Sequence, residues 1–110
     1  MKTLLTIYSP DGTVETAEHD MDECPGLDAL RAVLRPIFGG AYTEHVAVLH
    51  EGRRADMFVD EAFHAKGLPR NAAATAIYQA NWMEQHPDDD PEDLPWIAGD
   101  AVLFGRPVWS

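Results

Sequence analysis

Polar and apolar positions change period several times along these 110 residues, and the changes divide the chain into elements. Residues 3 to 8, TLLTIY, are apolar and β-branched and predict a strand. Ser9-Pro10-Asp11-Gly12 has the order of a type I turn, with proline fixing the second position and glycine closing it. Residues 13 to 18 then predict a shorter, more polar return strand near an edge. From Pro25 the period lengthens: Leu27, Leu30, Leu34 and Ile37 fall on one face of a helix. Pro25 suits its first turn, Pro36 disturbs its end, and Gly39-Gly40 stops it.

The second half repeats the scheme. Residues 42 to 50, YTEHVAVLH, and 54 to 59, RADMFV, predict a hairpin closed by the glycine-containing link Glu51-Gly52-Arg53. Val46 and Val48 share one strand face; Ala55, Met57 and Val59 share one face of the partner. A second helix follows from about Ala72 to Glu84, with a weak apolar stripe of Ala73, Ile77, Ala80 and Met83. HPDDDPEDLP, from 86 to 95, predicts an exposed acidic loop. WIAGDAVLFG predicts a turn into a buried strand from Ala101 to Phe104. The expected fold is a single α+β domain spanning 1–110, in the order ββ-α-ββ-α-β, with a mainly antiparallel sheet and two helices.

Charge changes the picture of what such a domain would touch. The formal net charge is −11, with 8 basic against 19 acidic residues. No Lys or Arg lies between Lys2 and Arg31, or between Arg70 and Arg106, and each gap holds seven acids. Residues 31 to 70 are nearly neutral. Two acidic blocks around such a centre argue against direct binding to nucleic-acid phosphates, which takes a basic patch. One cysteine, Cys24, excludes an internal disulfide and any CxxC metal or redox motif. The N-terminal run is short for a signal peptide, and no stretch has the length of a membrane span, so a cytoplasmic protein with no membrane partner is expected.

Candidate chemistry is sparse. Lys66 and Arg70 bracket Gly67-Leu68-Pro69 and lead into Asn71, a strong N-cap for the second helix. Cations beside outward-pointing helix N–H groups, with Gly67 permitting close approach, are the ingredients of a small-anion site: Lys66, Gly67, Arg70 and Asn71. The same residues also suit a capped helix with solvated charges. The acidic loop, Asp88, Asp89, Asp90, Glu92 and Asp93, together with Trp96, is a candidate surface for a protein partner. Trp82 and Trp109 join Trp96 as aromatics that either recognise a partner or pack in the core. His45 and His50, five apart on a strand, point to opposite faces. His19, His64 and His86 lack metal-ligand spacing, and no metal or cofactor is expected. Asp22 and Glu23 oppose thiolate formation at Cys24, and no nucleophile or phosphate-loop motif is present.

Two blocks, KGLPRNAAATAI at 66 to 77 and WIAGDAVLFG at 96 to 105, follow the hairpin between Glu44 and Val59. In this order they resemble the domain of unknown function 3846 family, small proteins of bacteria, phages and plasmids. Its pattern is a Gly-Leu-Pro-x-Asn segment, then Ala-Thr, then a closing Ile-x-Gly-Asp strand. The likeness covers residues 42 to 105; the first strand and helix match only in outline, and Tyr78 to Pro95 is longer than the pattern. The resemblance implies an accessory protein of mobile-element type and supplies no mechanism.

The leading functional expectation is a small, non-catalytic, acidic binding protein that meets a partner or small anion through the 66–71 loop and its acidic surface. One alternative is a DNA-mimic inhibitor whose carboxylates occupy the groove of a basic nucleic-acid-binding protein. Another is a small enzyme using Cys24 or a histidine–carboxylate pair.

Overall fold

The computed structural model describes residues 1–62 and 65–108. Two of the residues singled out above, His64 and Trp109, lie outside them. The chain folds as β1 (Lys2–Tyr8), β2 (Val14–Asp20), α1 (Gly26–Phe38), β3 (Thr43–His50), β4 (Arg53–Asp60), α2 (Ala72–Gln85) and β5 (Ala101–Phe104). A 3₁₀ turn at Pro91–Asp93 precedes β5. All five strands join one antiparallel sheet in the order β2-β1-β5-β4-β3. The α+β expectation is correct, and the sheet is more unified than two hairpins plus a strand. The last strand in sequence is the middle strand in space.

Side-chain alternation on β4 and β5 gives each helix its own face of the sheet. Ala55, Met57, Val59, Ala101 and Leu103 point to the α2 side and pack with Val48, Ala74, Ile97 and Ala98. Phe58, Val102 and Phe104 point to the α1 side and pack with Leu5, Met21, Leu30, Leu34 and Val108. Phe58 and Phe104 meet edge to face at 5.6 Å, the arrangement their ring quadrupoles favour. Because β5 is covered on both faces, all four of its side chains are buried.

Local signals account for the boundaries. Gly12 N–H closes the first turn on Ser9 O at 3.0 Å, and Asp11 accepts from Thr13 N–H. The second hairpin turns in two residues, Glu51 (φ 53°) and Gly52 (φ 77°), the paired positive φ of a type I′ turn. Helix α1 ends at Gly39 (φ 62°), which takes the left-handed cap. Its apolar face holds as predicted at Leu30 and Leu34, whereas Leu27 is exposed and rims a cleft.

The stripe predicted for α2 is displaced. Ala74 and Thr75 are buried and Ile77 and Tyr78 pack on the core, while Ala73 and Ala80 are exposed. The N-cap sets this rotation. Asn71 is tied to the loop before β5, and Thr75, one turn on, exchanges hydrogen bonds with Ile97 N–H and C=O through its hydroxyl.

Helix α2 also guards a sheet edge. Strand β3 lies at the end of the sheet, with the apolar, strand-prone run Val46-Ala47-Val48-Leu49 along its middle. Asn81 accepts from Leu49 N–H at 3.1 Å and donates to Ala47 C=O at 3.4 Å, standing in for a neighbouring strand. An uncovered edge of this kind is a template for pairing with another chain. Asn81→Ala is expected to lower stability by about 1 kcal/mol and to promote concentration-dependent self-association. Denaturant melts and sedimentation at several concentrations check both effects.

Candidate functional site

The loop singled out in the sequence is largely committed to the fold. Asn71 is 0% exposed. Its Oδ1 accepts from Ala74 N–H at 3.1 Å, capping α2, and its Nδ2 donates to Tyr8 C=O at 2.8 Å and Gly99 C=O at 2.9 Å. One amide therefore joins a helix start, the end of β1 and the turn into β5. The backbone of this segment runs beside residues 97 to 99: Asn71 N–H bonds Ile97 O, Gly99 N–H bonds Pro69 O, and Arg70 bridges Ala98. At Gly99 the φ of 74° is one that residues with a Cβ rarely adopt, and an added Cβ would also push on Leu68 Cδ1 at 2.8 Å, so glycine is favoured. The two sequence blocks at 66–77 and 96–105 thus form one latch.

The flanking cations are held as well. Lys66 Nζ donates to Asp60 Oδ2 at 2.6 Å, and the Arg70 guanidinium lies 5.9 Å from the Trp96 ring centroid. Gly67 (φ 64°) makes the turn and is exposed. The Asn71 amide is spent inside the chain, so the structure gives it a structural role where the sequence suggested ligand contact. Burial opposes ionisation of Asp60, but the Lys66 hydrogen bond, the Ala62 N–H and the Lys66 charge together outweigh it and hold its carboxyl below the ordinary value.

Among the proposed partner-binding residues, Asp88, Glu92 and Asp93 are exposed, as predicted for this loop. Asp89 accepts from Trp82 Nε1 at 2.8 Å, and Asp90 caps the 3₁₀ turn through Glu92 N–H at 3.0 Å. Trp82 stacks on His86 at 4.5 Å, fixing the loop to the end of α2. Trp96 is half-buried against the α2-side core. No group of three or more His, Cys, Asp or Glu side chains among the described residues is placed to hold a metal ion.

Sequence reading missed a different region. On the α1 face a cleft of about 410 Å³ opens between α1 and the strands β3 and β4. Arg31 and Arg35, one helical turn apart on α1, line it with Leu27, Leu34, Tyr42, Thr43, His45 and Phe58. Neither arginine has an ion pair or side-chain hydrogen bond among the described residues, although the chain carries 19 acids. Lys2, Arg53 and Arg54 likewise show no ion pair or side-chain hydrogen bond among the described residues but lie outside the cleft, whereas Lys66 is paired, and Arg106 is fastened to Thr3 Oγ1 and to the Asp22, Glu23 and Pro107 carbonyls.

Behind the cleft wall sits Asp56, 0% exposed, on the same face of β4 as Phe58 and paired in register with Phe104. Its Oδ1 is 2.7 Å from His45 Nε2, and its Oδ2 accepts from Val108 N–H at 2.7 Å. The His45 ring also lies 5.3 Å from Phe58. A buried carboxylate so held fixes the histidine's orientation and joins the cleft to the C-terminal segment. The signal was present in RADMFVD: Asp56 interrupts the apolar alternation that Phe58 continues on the same face.

Two outcomes follow from this geometry. Asn71→Ala is expected to destabilise the protein by about 2–4 kcal/mol, because it orphans the buried Gly99 carbonyl, the part-buried Tyr8 carbonyl and a helix N–H; chemical denaturation measures it. Lys66→Met is expected to cost about 1 kcal/mol at neutral pH, since Lys66 is partly exposed. Asp60 is depressed in the folded state, so its contribution is present above the ordinary aspartate range and is lost as pH falls through the folded value. The two proteins' stabilities should therefore converge in acid, as urea melts across pH will report.

No helix among the described residues is long and apolar enough to cross a membrane. No protein-family model, curated protein or solved structure matches the chain, so the cleft and the latch are read from their own chemistry.

Proposed function

We propose that this chain is a small binding protein whose anion site is the cleft between α1 and β3, not the Lys66–Asn71 loop. The observation that carries this reading is the placement of Arg31 and Arg35 on one wall of a concave site. Like charges one turn apart on a helix repel, and that repulsion is relieved by an anion between them. Every other feature of the cleft suits a small ligand: an apolar floor, a few polar groups, and a histidine held in place from behind. The role is non-catalytic: Arg31 and Arg35 supply charge and His45 supplies shape and a polar edge. The accessory, mobile-element setting rests on the family resemblance of residues 42 to 105.

One observation favours a second reading, a small enzyme. His45 and Asp56 have the base-and-orienter relation used in general acid–base catalysis. The DNA-mimic reading has less support. Strand β2, with Glu15, Glu18 and Asp20, forms one edge of the sheet, whereas Asn81 fixes the C-terminal half of α2 to β3 at the other. The Asp88–Asp93 loop follows α2 on that second side, so the β2 acids and this loop do not favour one continuous mimic surface.

Thermal unfolding with a panel of small anions at low ionic strength tests the binding reading. A ligand at about one hundred times its Kd stabilises by about 2.7 kcal/mol, which is a shift of several degrees. The shift is expected to vanish in the Arg31→Ala/Arg35→Ala double variant and to persist in Lys66→Ala/Arg70→Ala. The reverse pattern would return the site to the loop.

A further inference from the structure

Resting on the anion-binding reading, we propose that the group this cleft recognises is a phosphoryl group carried on a small aromatic or apolar body, rather than a carboxylate. The argument is one of charge and fork geometry. Positions i and i+4 on one helix face hold their Cβ atoms about 5–6 Å apart, so the Arg31 and Arg35 guanidinium groups can converge on one small anion. Each guanidinium offers a planar fork of donors that matches a pair of anionic oxygens. A carboxylate has two oxygens and one charge, and a single fork satisfies it. A phosphate monoester has three terminal oxygens and a charge near −2 above its second pKa of about 6. It takes both forks at once and neutralises both arginines. Two guanidinium groups on one wall, neither ion-paired among the described residues, are therefore one more than a carboxylate needs.

The rest of the cleft describes the body of the ligand. Leu27, Leu30, Leu34 and Phe58 form an apolar wall, and Tyr42, 77% exposed, stands at the rim where its ring can cover a flat group. Thr43 adds a neutral hydroxyl beside it. A volume of about 410 Å³ holds a compound of mononucleotide size and not a folded chain. The residue that joins this wall to the core is His45, whose Nε2 is engaged by Asp56.

Phenyl phosphate and benzoate, two ligands with the same ring and different anions, separate the possibilities by titration calorimetry on the full chain at about pH 7.5. Phenyl phosphate is expected to bind about tenfold or more tightly than benzoate, the effect of one additional charge-assisted pair. Arg31→Gln and Arg35→Gln, which remove both the charge and the fork, are expected to erase most of that preference; circular dichroism confirms that each variant is folded. Equal or tighter binding of benzoate would overturn the phosphoryl assignment and leave the anion site standing. A preference that survives both glutamine variants would also overturn it, because the selecting groups would then lie elsewhere. Binding of neither compound by the wild-type chain would overturn the anion site itself.

Discussion

The fold depends on four residues, Ala101 to Phe104, which close the sheet from the inside. Strand β5 bonds to β1 on one side and β4 on the other, and without it the two hairpins share no backbone pairing. It is short, and both its faces are covered, so its hold comes from burial as much as from hydrogen bonds. Pairing it requires bringing residues near 101 together with residues near 7 and near 57, contacts of long sequence separation whose loop-closure entropy must be met before they return any energy. The latch at Asn71 helps to meet that cost. By bonding Tyr8, Gly99 and the start of α2 together, it delivers the β5 segment to the end of β1 in register.

The same closure explains why the helices take opposite faces. The connection from β2 to β3 runs from one sheet edge to the other, and α1 lies along it, covering Leu5, Phe58, Val102 and Phe104. The connection from β4 to β5 joins neighbouring strands, and α2 covers Met57, Val59 and Leu103 on the reverse side. Beyond the last buried turn of α1 the segment Gly40-Ala41-Tyr42 passes across to β3, leaving the space that becomes the cleft. The cleft is thus a product of topology: a helix that must reach a far edge is joined to it by a loop and not by packed side chains.

Periodicity made most of the elements legible. The 3-4-3 spacing of Leu27, Leu30, Leu34 and Ile37 defined α1, and the alternation around Glu51-Gly52 defined the second hairpin with its facing correct. What periodicity could not reveal was spatial order. Nothing in AVLF distinguishes an edge strand from a central one until its neighbours are known. The stripe on α2 was misjudged because its rotation is set by Asn71 and Thr75, polar residues that serve as core contacts here. The internal partners of the 66–71 loop were hidden for a related reason. Lys66 and Arg70 were visible as cations near a helix start, but their partners, Asp60 and Trp96, lie six and 26 positions away and meet them only through the fold. Arg31 and Arg35 stand one turn apart on α1 with no motif around them. That they line a cleft comes from β3 and β4 lying across from them, which one-dimensional spacing does not contain.

Placing a carboxylate at position 56 then becomes intelligible as a compromise between folding and the cleft. An ionisable group in the layer between Phe58 and Phe104 loses its hydration, and leaving it unpaired would cost several kcal/mol. An apolar residue of similar size would pack there without that penalty, so stability alone does not select aspartate. What Asp56 adds is geometry: one oxygen fixes His45 in the cleft wall, and the other fastens the backbone of Val108 to the sheet. The C-terminal segment and the cleft wall are therefore positioned by one rigid group on a buried strand. A side chain held from behind in this way loses little further freedom when a ligand arrives, which is the condition under which a few polar contacts suffice for selective binding.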